Sequence, residues 1–365
     1  MDIRLENVLE YEQPTKYIVK SENYSDDFAL PVLTAGKSFV LGFTDETDGI
    51  CKASESPVII FDDFTADCKY VDFDFKVKSS AMKILHKANT KDNLKYYFYA
   101  MQAIDYTPFS HKRVWISEYS KFKIKNRSIA EQNNIVKELD TVATAIDNAK
   151  QRLNALDELV KSRFIEMFVE KGFKEITFSD YAEIIDGDRG KNYPKAEEFS
   201  DEGYCLFLSA KNVTKDGFLF EQMQFISEEK DNLLRKGKLC RGDIVITTRG
   251  TIGNIAFYDD DIPYDNVRIN SGMVIIRQKE VSFNQIFFLN AFKNKIDEIK
   301  ETNVTGAAQP QLPIHIMSKI KLLNPPIELQ NEFADFVKLI DKSKFVGYFT
   351  LNIFYVKSSH FHHPP

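Results

Sequence analysis

No apolar run in this chain is long enough to cross a membrane. The longest aromatic-rich stretch, Phe345 to Val356, falls well short of the ~20 residues a span requires. Met1 is followed by charged residues rather than an apolar segment, so no signal peptide is evident, and a soluble, cytoplasmic protein with no membrane role is expected. Cysteine is sparse: Cys51, Cys68, Cys205 and Cys240 form no C-x-x-C pair and have no histidine at ligand spacing. That argues against structural zinc and fits a reducing compartment. Three of the six histidines sit in His360-Phe361-His362-His363, which reads as a terminal tail more readily than as a metal site. Basic excess is also missing. The net charge is −6 and the pI about 5.7, so the chain does not grip phosphates by bulk charge, though a small basic face stays compatible with sequence reading.

Glycine and proline are absent from Ser128 to Lys171, and here the sequence becomes informative. Apolar residues at Ile135, Leu139, Val142, Ile146, Ala149, Leu153, Leu156 and Val160 alternate in steps of four and three, the seam of a coiled coil. At about 1.5 Å per residue, a helix of roughly forty residues spans about 60 Å, too long for one small domain to cover, so it acts as a spacer. Ser128 with Glu131 fits a capping box and Gly172 a stop. The opening Ile129-Ala130-Glu131-Gln132-Asn133 returns 198 positions later as Ile327-Glu328-Leu329-Gln330-Asn331, after Pro325-Pro326. Solenoid periods run at roughly 20–50 residues, so this is instead a large module present twice. Phe333, Val337 and Ile340 repeat the seam register and are the natural intramolecular partners, parallel or antiparallel. Lys344 then breaks the seam and Gly347 follows.

A globular region precedes each helix start. In the first, strand-like runs at Pro57–Phe61 and Tyr70–Val77 are followed by a helical stretch near Leu94 to Ile104. In the second, strands around Gly203–Ser209, Asp243–Thr247 and Met273–Arg277 precede a helix near Asn284 to Lys300. The predicted fold class is α+β, and 365 residues suit two such regions plus helices.

The second region carries Arg241-Gly242-Asp243-Ile244-Val245-Ile246-Thr247-Thr248-Arg249-Gly250-Thr251-Ile252-Gly253-Asn254, then Thr305-Gly306-Ala307-Ala308-Gln309-Pro310-Gln311-Leu312, then Leu323-Asn324-Pro325-Pro326-Ile327-Glu328-Leu329-Gln330. In that order, and followed by a heptad helix, these strings resemble the target recognition domain of specificity subunits from type I restriction-modification systems. The likeness covers about Phe173 to Lys342. In the first region, Pro31-Val32-Leu33-Thr34-Ala35-Gly36-Lys37 and the helix start resemble another recognition-domain variant. The resemblance implies two α/β target recognition domains separated by long helices that form an antiparallel coiled coil. Its expected layout is recognition domain 1 over 1–126, spacer helix 1 over 127–171, recognition domain 2 over 172–325, spacer helix 2 over 326–346, apparently cut short, and an atypical tail over 347–365. It also implies a subunit without catalytic site or cofactor of its own. Each domain reads one half of a bipartite site in double-stranded DNA. Two copies of an adenine-specific modification methyltransferase bring S-adenosylmethionine, and a restriction/translocase subunit uses ATP and Mg.

Residue chemistry nominates DNA contacts, because Arg suits guanine edges and Asn or Gln suits adenine edges. The candidates are Lys37, Ser38, Lys78, Ser79, Lys112 and Arg113 in the first region, and Lys211, Asn212, Arg249, Arg268, Asn270, Gln309 and Gln311 in the second. Enzymatic readings find little. Gly250-Thr251-Ile252-Gly253 lacks the Lys-Ser/Thr end of a phosphate loop and reads as a turn between strands. Asn324-Pro325-Pro326-Ile327 has Ile where an adenine methyltransferase motif carries an aromatic, and no glycine-rich cofactor loop lies upstream, so the prolines mark a helix start. No catalytic or metal-binding residue is assigned. Two competing readings are a coiled-coil scaffold without sequence preference and a silent specificity subunit whose second helix ends early, through truncation, frameshift or recombination.

Overall fold

The computed structural model describes residues 1–35, 38–109, 112–279, 283–303 and 312–360, with 301–303, 346 and 348–360 described by their backbone alone. Two compact units make up the chain: Met1–Ala149 together with the chain from Thr350 onward, and Lys150–Phe349.

The first unit is organised by Val58–Asp62, an apolar run buried along its whole length. It is central in a four-stranded antiparallel sheet ordered Leu9–Glu12, Met82–Lys87, Val58–Asp62, Cys68–Val71. Alternation sends Ile59, Phe61 and Leu85 towards helix α1 (Leu94–Gln102), where Tyr97 and Met101 cover them. Val58, Ile60 and Ile84 point the other way, onto Leu33 and Val77 of a second sheet ordered Val40–Thr44, Leu30–Leu33, Lys76–Val77. A strand covered on both faces reads as a continuous apolar run, as this one does. Asp2–Arg4 pairs with Lys123–Lys125 and brings the start and end of the region together.

One strand expectation is corrected. Tyr70–Val77 is not a single strand: Cys68–Val71 belongs to the first sheet and Lys76–Val77 to the second. The chain crosses between them at Asp72–Asp74. There the Asp74 carboxylate accepts from the Ser54 N–H at 3.2 Å and hydroxyl at 2.6 Å and pairs with Lys52 at 2.7 Å. Helix α2 (Ile129–Phe164) begins with the expected box: the Ser128 N–H donates to Glu131 at 2.9 Å and the Glu131 N–H to Ser128 Oγ at 3.4 Å. It passes into a π turn over Ile165–Val169 and stops at Gly172, whose φ is +66°.

The second unit repeats the plan. Its helices are α3 (Phe178–Tyr181), α4 (Glu228–Leu233), α5 (Gln285–Asn303), α6 (Ile314–Met317) and the part of the long α7 (Ile327–His360) that ends at Phe349. The four-stranded sheet runs Ala182–Asp186, Met273–Gln278, Asp243–Thr247, Ile255–Tyr258, and a three-stranded one runs Phe225–Ile226, Cys205–Leu208, Val267–Ile269. Strand for strand this is the order of the first unit, including the parallel pair in the smaller sheet. Ile244, Ile246 and Ile276 face α5, while Val245 and Ile275 face the smaller sheet. Glu175–Thr177 pairs with Lys321–Leu323 to close the region.

Within this unit α2 and α7 run antiparallel. Arg163 meets Glu332 at 3.3 Å, Phe164 lies 5.6 Å from Phe333, and Lys344 reaches back to Asp157 at 2.6 Å. Phe333, Val337 and Ile340 are buried, as are Leu153 and Val160 of α2, with Leu156 half-buried against them. In the first unit Ile135, Leu139, Val142 and Ile146 are all half-buried. The expected end of the second spacer helix at residue 346 is overturned, for α7 passes through Gly347. A Cβ there would lie 3.0 Å from Leu153 Cδ2, so the missing side chain permits close helix approach. Glycine costs a helix interior only about 1 kcal/mol relative to alanine, so one glycine need not end it. How side chains pack beyond Gly347 lies outside the described residues.

Candidate nucleic-acid interface

At one end of the second unit's sheets, five segments converge. The Asn270 N–H donates to Leu208 O at 3.0 Å, joining the loops after both smaller-sheet strands. The Thr248 N–H donates to Gly272 O at 2.9 Å, and Leu312 in turn donates to Thr248 O at 3.3 Å. A Cβ on Gly187 would sit 2.2 Å from Asn270 O, so only glycine lets the 186–190 loop come this close. Lys211 and Arg249 are exposed on this rim. Asn254 Nδ2 donates to Val213 O at 3.0 Å and ties the segments that carry them.

The first unit repeats the backbone bonds of this end, and its Asp63 N–H donates to Ala81 O at 3.3 Å as Thr248 does to Gly272. The Lys78 N–H donates to Leu33 O at 2.9 Å, as Asn270 does to Leu208, and the Val114 N–H donates to Asp63 O at 3.0 Å, as Leu312 does to Thr248. Ser38, Ser79, Lys112 and Arg113 are exposed on these loops. Arg113 donates to Ser80 O at 3.3 Å, and Lys78 pairs with Glu22. The nominated residues thus gather on equivalent loops. Lys37, Gln309 and Gln311 lie outside the described residues.

Two nominations are corrected. Asn212 is buried and its amide is fully used: Oδ1 accepts from the Ser209 N–H at 2.9 Å, and Nδ2 donates to Leu219 O at 3.1 Å and Gln222 O at 3.0 Å. Arg268 is 5% exposed and holds the interior together. Its guanidinium bonds the Asp231 carboxylate and donates to Lys236 O at 2.8 Å, Asp231 O at 2.9 Å and Leu234 O at 3.1 Å. Burial alone would raise the Asp231 carboxyl, but Lys238 and Arg268 outweigh it and hold it below the ordinary carboxylate range. Lys76 fills the matching place in the first unit, buried and 2.9 Å from Glu46. Asn270 is half-buried, with Oδ1 accepting from the Gly272 N–H at 2.9 Å, so its side chain shapes the loop. The Gly250–Gly253 stretch is the expected turn, with φ of +78° and +72° at the two glycines.

Comparison with known proteins decides what these paired ends belong to. Residues 170–345 match the family described as type I restriction modification DNA specificity domain. Over 354 residues the chain is 47% identical to the type I restriction enzyme EcoR124I/EcoR124II specificity subunit of Escherichia coli, spanning 93% of this chain and 85% of that one. The chain is a type I restriction-modification specificity subunit. A more distant relative, the MjaVIII specificity subunit of Methanocaldococcus jannaschii, is 25% identical over 297 residues, 73% of this chain and 67% of that one. The crystal structure of an S subunit from M. genitalium shares the fold, with a TM-score of 0.54 and 16% identity, covering 99% of this chain and 94% of that one.

In this specificity subunit, residue-type reasoning passed over two features. Arg189 is exposed on the same rim as Arg249, between Asp186 at 3.2 Å and Ser271 O at 3.1 Å. Its only signal was the Gly187-Asp188-Arg189-Gly190 loop. Asp188 beside it is buried, yet N–H groups of Gly190 and Arg235, at 2.7 and 2.8 Å, keep its carboxyl below the usual range. The second feature is the amide set of the repeated helix start, Gln132 with Asn133 and Gln330 with Asn331. Its signal was the repeat itself. Among the described residues no three His, Cys, Asp or Glu side chains converge as metal ligands would, and no helix is long and apolar enough to cross a membrane.

Proposed function

We propose that this subunit reads a bipartite sequence in double-stranded DNA, one half through the loop end of each unit. Methylation and cleavage then belong to its partners: two copies of an adenine-specific methyltransferase bringing S-adenosylmethionine, and a translocating restriction subunit using ATP and Mg. The observation that carries this reading is the pair of loop ends. Identical backbone bonds at Leu33–Lys78 and Leu208–Asn270, and at Asp63–Val114 and Thr248–Leu312, hold different side chains. A repeated frame with changed readers is what two unlike half-sites require. The reader positions are Ser38, Lys78, Ser79, Lys112 and Arg113 in one unit and Lys211, Arg249 and Arg189 in the other, with Lys37, Gln309 and Gln311 proposed from sequence. A net charge of −6 leaves nonspecific phosphate affinity low, so enclosure of the DNA falls mainly to the partners.

The test is base-resolved mapping of N6-methyladenine in a methylation-free bacterial host producing this chain with its modification subunit. A gapped motif, methylated in both halves, supports the reading and spells both half-sites. A stable complex without methylation would mark a silent subunit, and absence of any complex would favour the scaffold.

A further inference from the structure

Each unit fastens its domain helix to a long helix with the same three amides. In the first, the backbone N–H of Asn93, the cap of α1, donates to Gln132 Oε1 at 2.9 Å, and Asn93 Nδ2 donates to Asn133 Oδ1 at 2.9 Å. Gln132 Nε2 then donates to Arg127 O at 3.1 Å, just ahead of α2. In the second, the Asn284 N–H donates to Gln330 Oε1 at 2.9 Å, Asn284 Nδ2 to Asn331 Oδ1 at 2.9 Å, and Gln330 Nε2 to Pro325 O at 2.8 Å. Both capping asparagines also accept from their own helix, Asn93 from the Lys95 N–H and Asn284 from the Ile286 N–H, each at 3.0 Å.

The glutamines are 2% exposed in both places. A buried primary amide is retained only when its donor and acceptor are both satisfied, and here each is satisfied across the joint. A plain apolar contact between α1 and α2 could slide by a fraction of a turn at little cost. A planar amide bonded on one side to a helix cap and on the other to the preceding carbonyl has one geometry. The joint therefore defines the angle at which each domain leaves its long helix.

We propose that Gln132–Asn133 and Gln330–Asn331 are positioning residues for DNA reading: they set the gap length between the half-sites and leave the half-site words untouched. This rests on the bipartite reading proposed above. One base pair more or less in the gap shifts a half-site by about 3.4 Å and turns it by about a tenth of a helical turn, which a locked joint resists. Loosening either joint should admit neighbouring gap lengths.

The experiment uses the full complex of this chain with its modification subunit. Once the motif is mapped, methylation is measured on duplexes carrying both half-sites with the gap at its native length and one base pair shorter or longer. The chains compared are wild type, Gln132→Met, Gln330→Met and Asn133→Ala. Methionine keeps the buried volume and removes the amide bonds, while Asn133 is exposed and its loss is the milder change. The expected result is that preference for the native gap falls roughly ten-fold in the glutamine variants, the equivalent of about one lost hydrogen-bonded constraint, with unchanged half-site words. Variants that assemble and methylate yet keep wild-type gap preference overturn the joint's role, as does an altered half-site word. A glutamine variant that fails to fold leaves the decision to Asn133→Ala, where an unchanged gap preference overturns the proposal equally. If wild type shows no gapped motif, the bipartite reading itself fails, and the joint's role in DNA reading fails with it.

Discussion

Arg268 and Arg249 looked alike as guanine-reading candidates, and replacing each by alanine should produce opposite phenotypes. Arg268 is 5% exposed and its partner Asp231 1%. Truncating it strips the carboxylate of one of two cationic partners, leaving Lys238, and frees three carbonyls that accepted from the guanidinium. Breaking a buried pair from one side costs about 3–5 kcal/mol. At roughly 2–4 °C per kcal/mol for a domain of this size, the second unit should melt about 10 °C lower. Arg268→Lys keeps the charge but not the planar fork that reaches Lys236 O and Leu234 O, so it should fall between. Arg249 is exposed on a turn, and its loss should change stability by less than about 0.5 kcal/mol. Methylation of one half-site should nevertheless drop by roughly ten- to a hundred-fold, the range of a lost base contact of about 1–3 kcal/mol. Scanning calorimetry of the full chain alongside methylation rates separates the two. If Arg268→Ala melts like wild type and changes the half-site word, the assignment of Arg268 to the interior is wrong.

Three further outcomes follow from named contacts. Lys344→Leu should raise the stability of the second unit by about 1 kcal/mol. It restores an apolar seam position, leaves Asp157 well solvated, and removes a charge that, after burial, helps push the Lys293 amine below its ordinary value; a lower melting temperature would count against this. Ser128→Ala should cost about 1 kcal/mol and speed amide exchange at the start of α2, since the hydroxyl donates to Glu131 at 2.8 Å and accepts from the Glu131 N–H at 3.4 Å. Asp231 makes the second unit acid-sensitive: its folded carboxyl lies below the unfolded value near 4, so the stabilisation is complete above that pH and drains away as pH falls through the folded value. Calorimetry from pH 5 down to about 2 should show the wild type losing melting temperature over this window and Asp231→Asn losing less.

The parts of this architecture legible in sequence were those with local causes. The runs Pro57–Phe61 and Asp243–Thr247 read as strands because they are rich in β-branched and aromatic residues, and the structure adds that the strands formed, Val58–Asp62 and Asp243–Thr247, are buried along their length. The bounds of α2 were visible in Ser128 and Gly172 because caps are short-range. What escaped depended on distant partners. Nothing near Arg268 announces Asp231, 37 residues earlier. Asn212 is interior because Leu219 and Gln222 bring it carbonyls. Gly347 reads as a helix stop until Leu153 of the opposing helix is seen against it. The Tyr70–Val77 run held no sign that its halves serve two sheets, since the switch is made by Ser54 and Lys52 reaching Asp74 from another segment.

The repeat inside this chain sorts structural from reading positions. Gln132 and Gln330, Asn133 and Asn331, and Asn93 and Asn284 are the same residues making the same bonds. Lys76 and Arg268 differ in name but are both buried cations on an acidic partner. On the loop ends the frame repeats while the chemistry does not: Lys78 stands where Asn270 stands, and Arg113 precedes Val114 as Gln311 precedes Leu312. A residue needed for folding is constrained equally in both copies, because the interior it serves is the same in both. A residue that meets DNA is constrained only by its own half-site. Under the proposed bipartite reading, divergence at otherwise equivalent, exposed positions is what two unlike half-sites would leave. Burial assigns Arg268 and Asn212 to the fold, while the exposed Arg113, Lys112, Arg249 and Lys211 stay the readers proposed above.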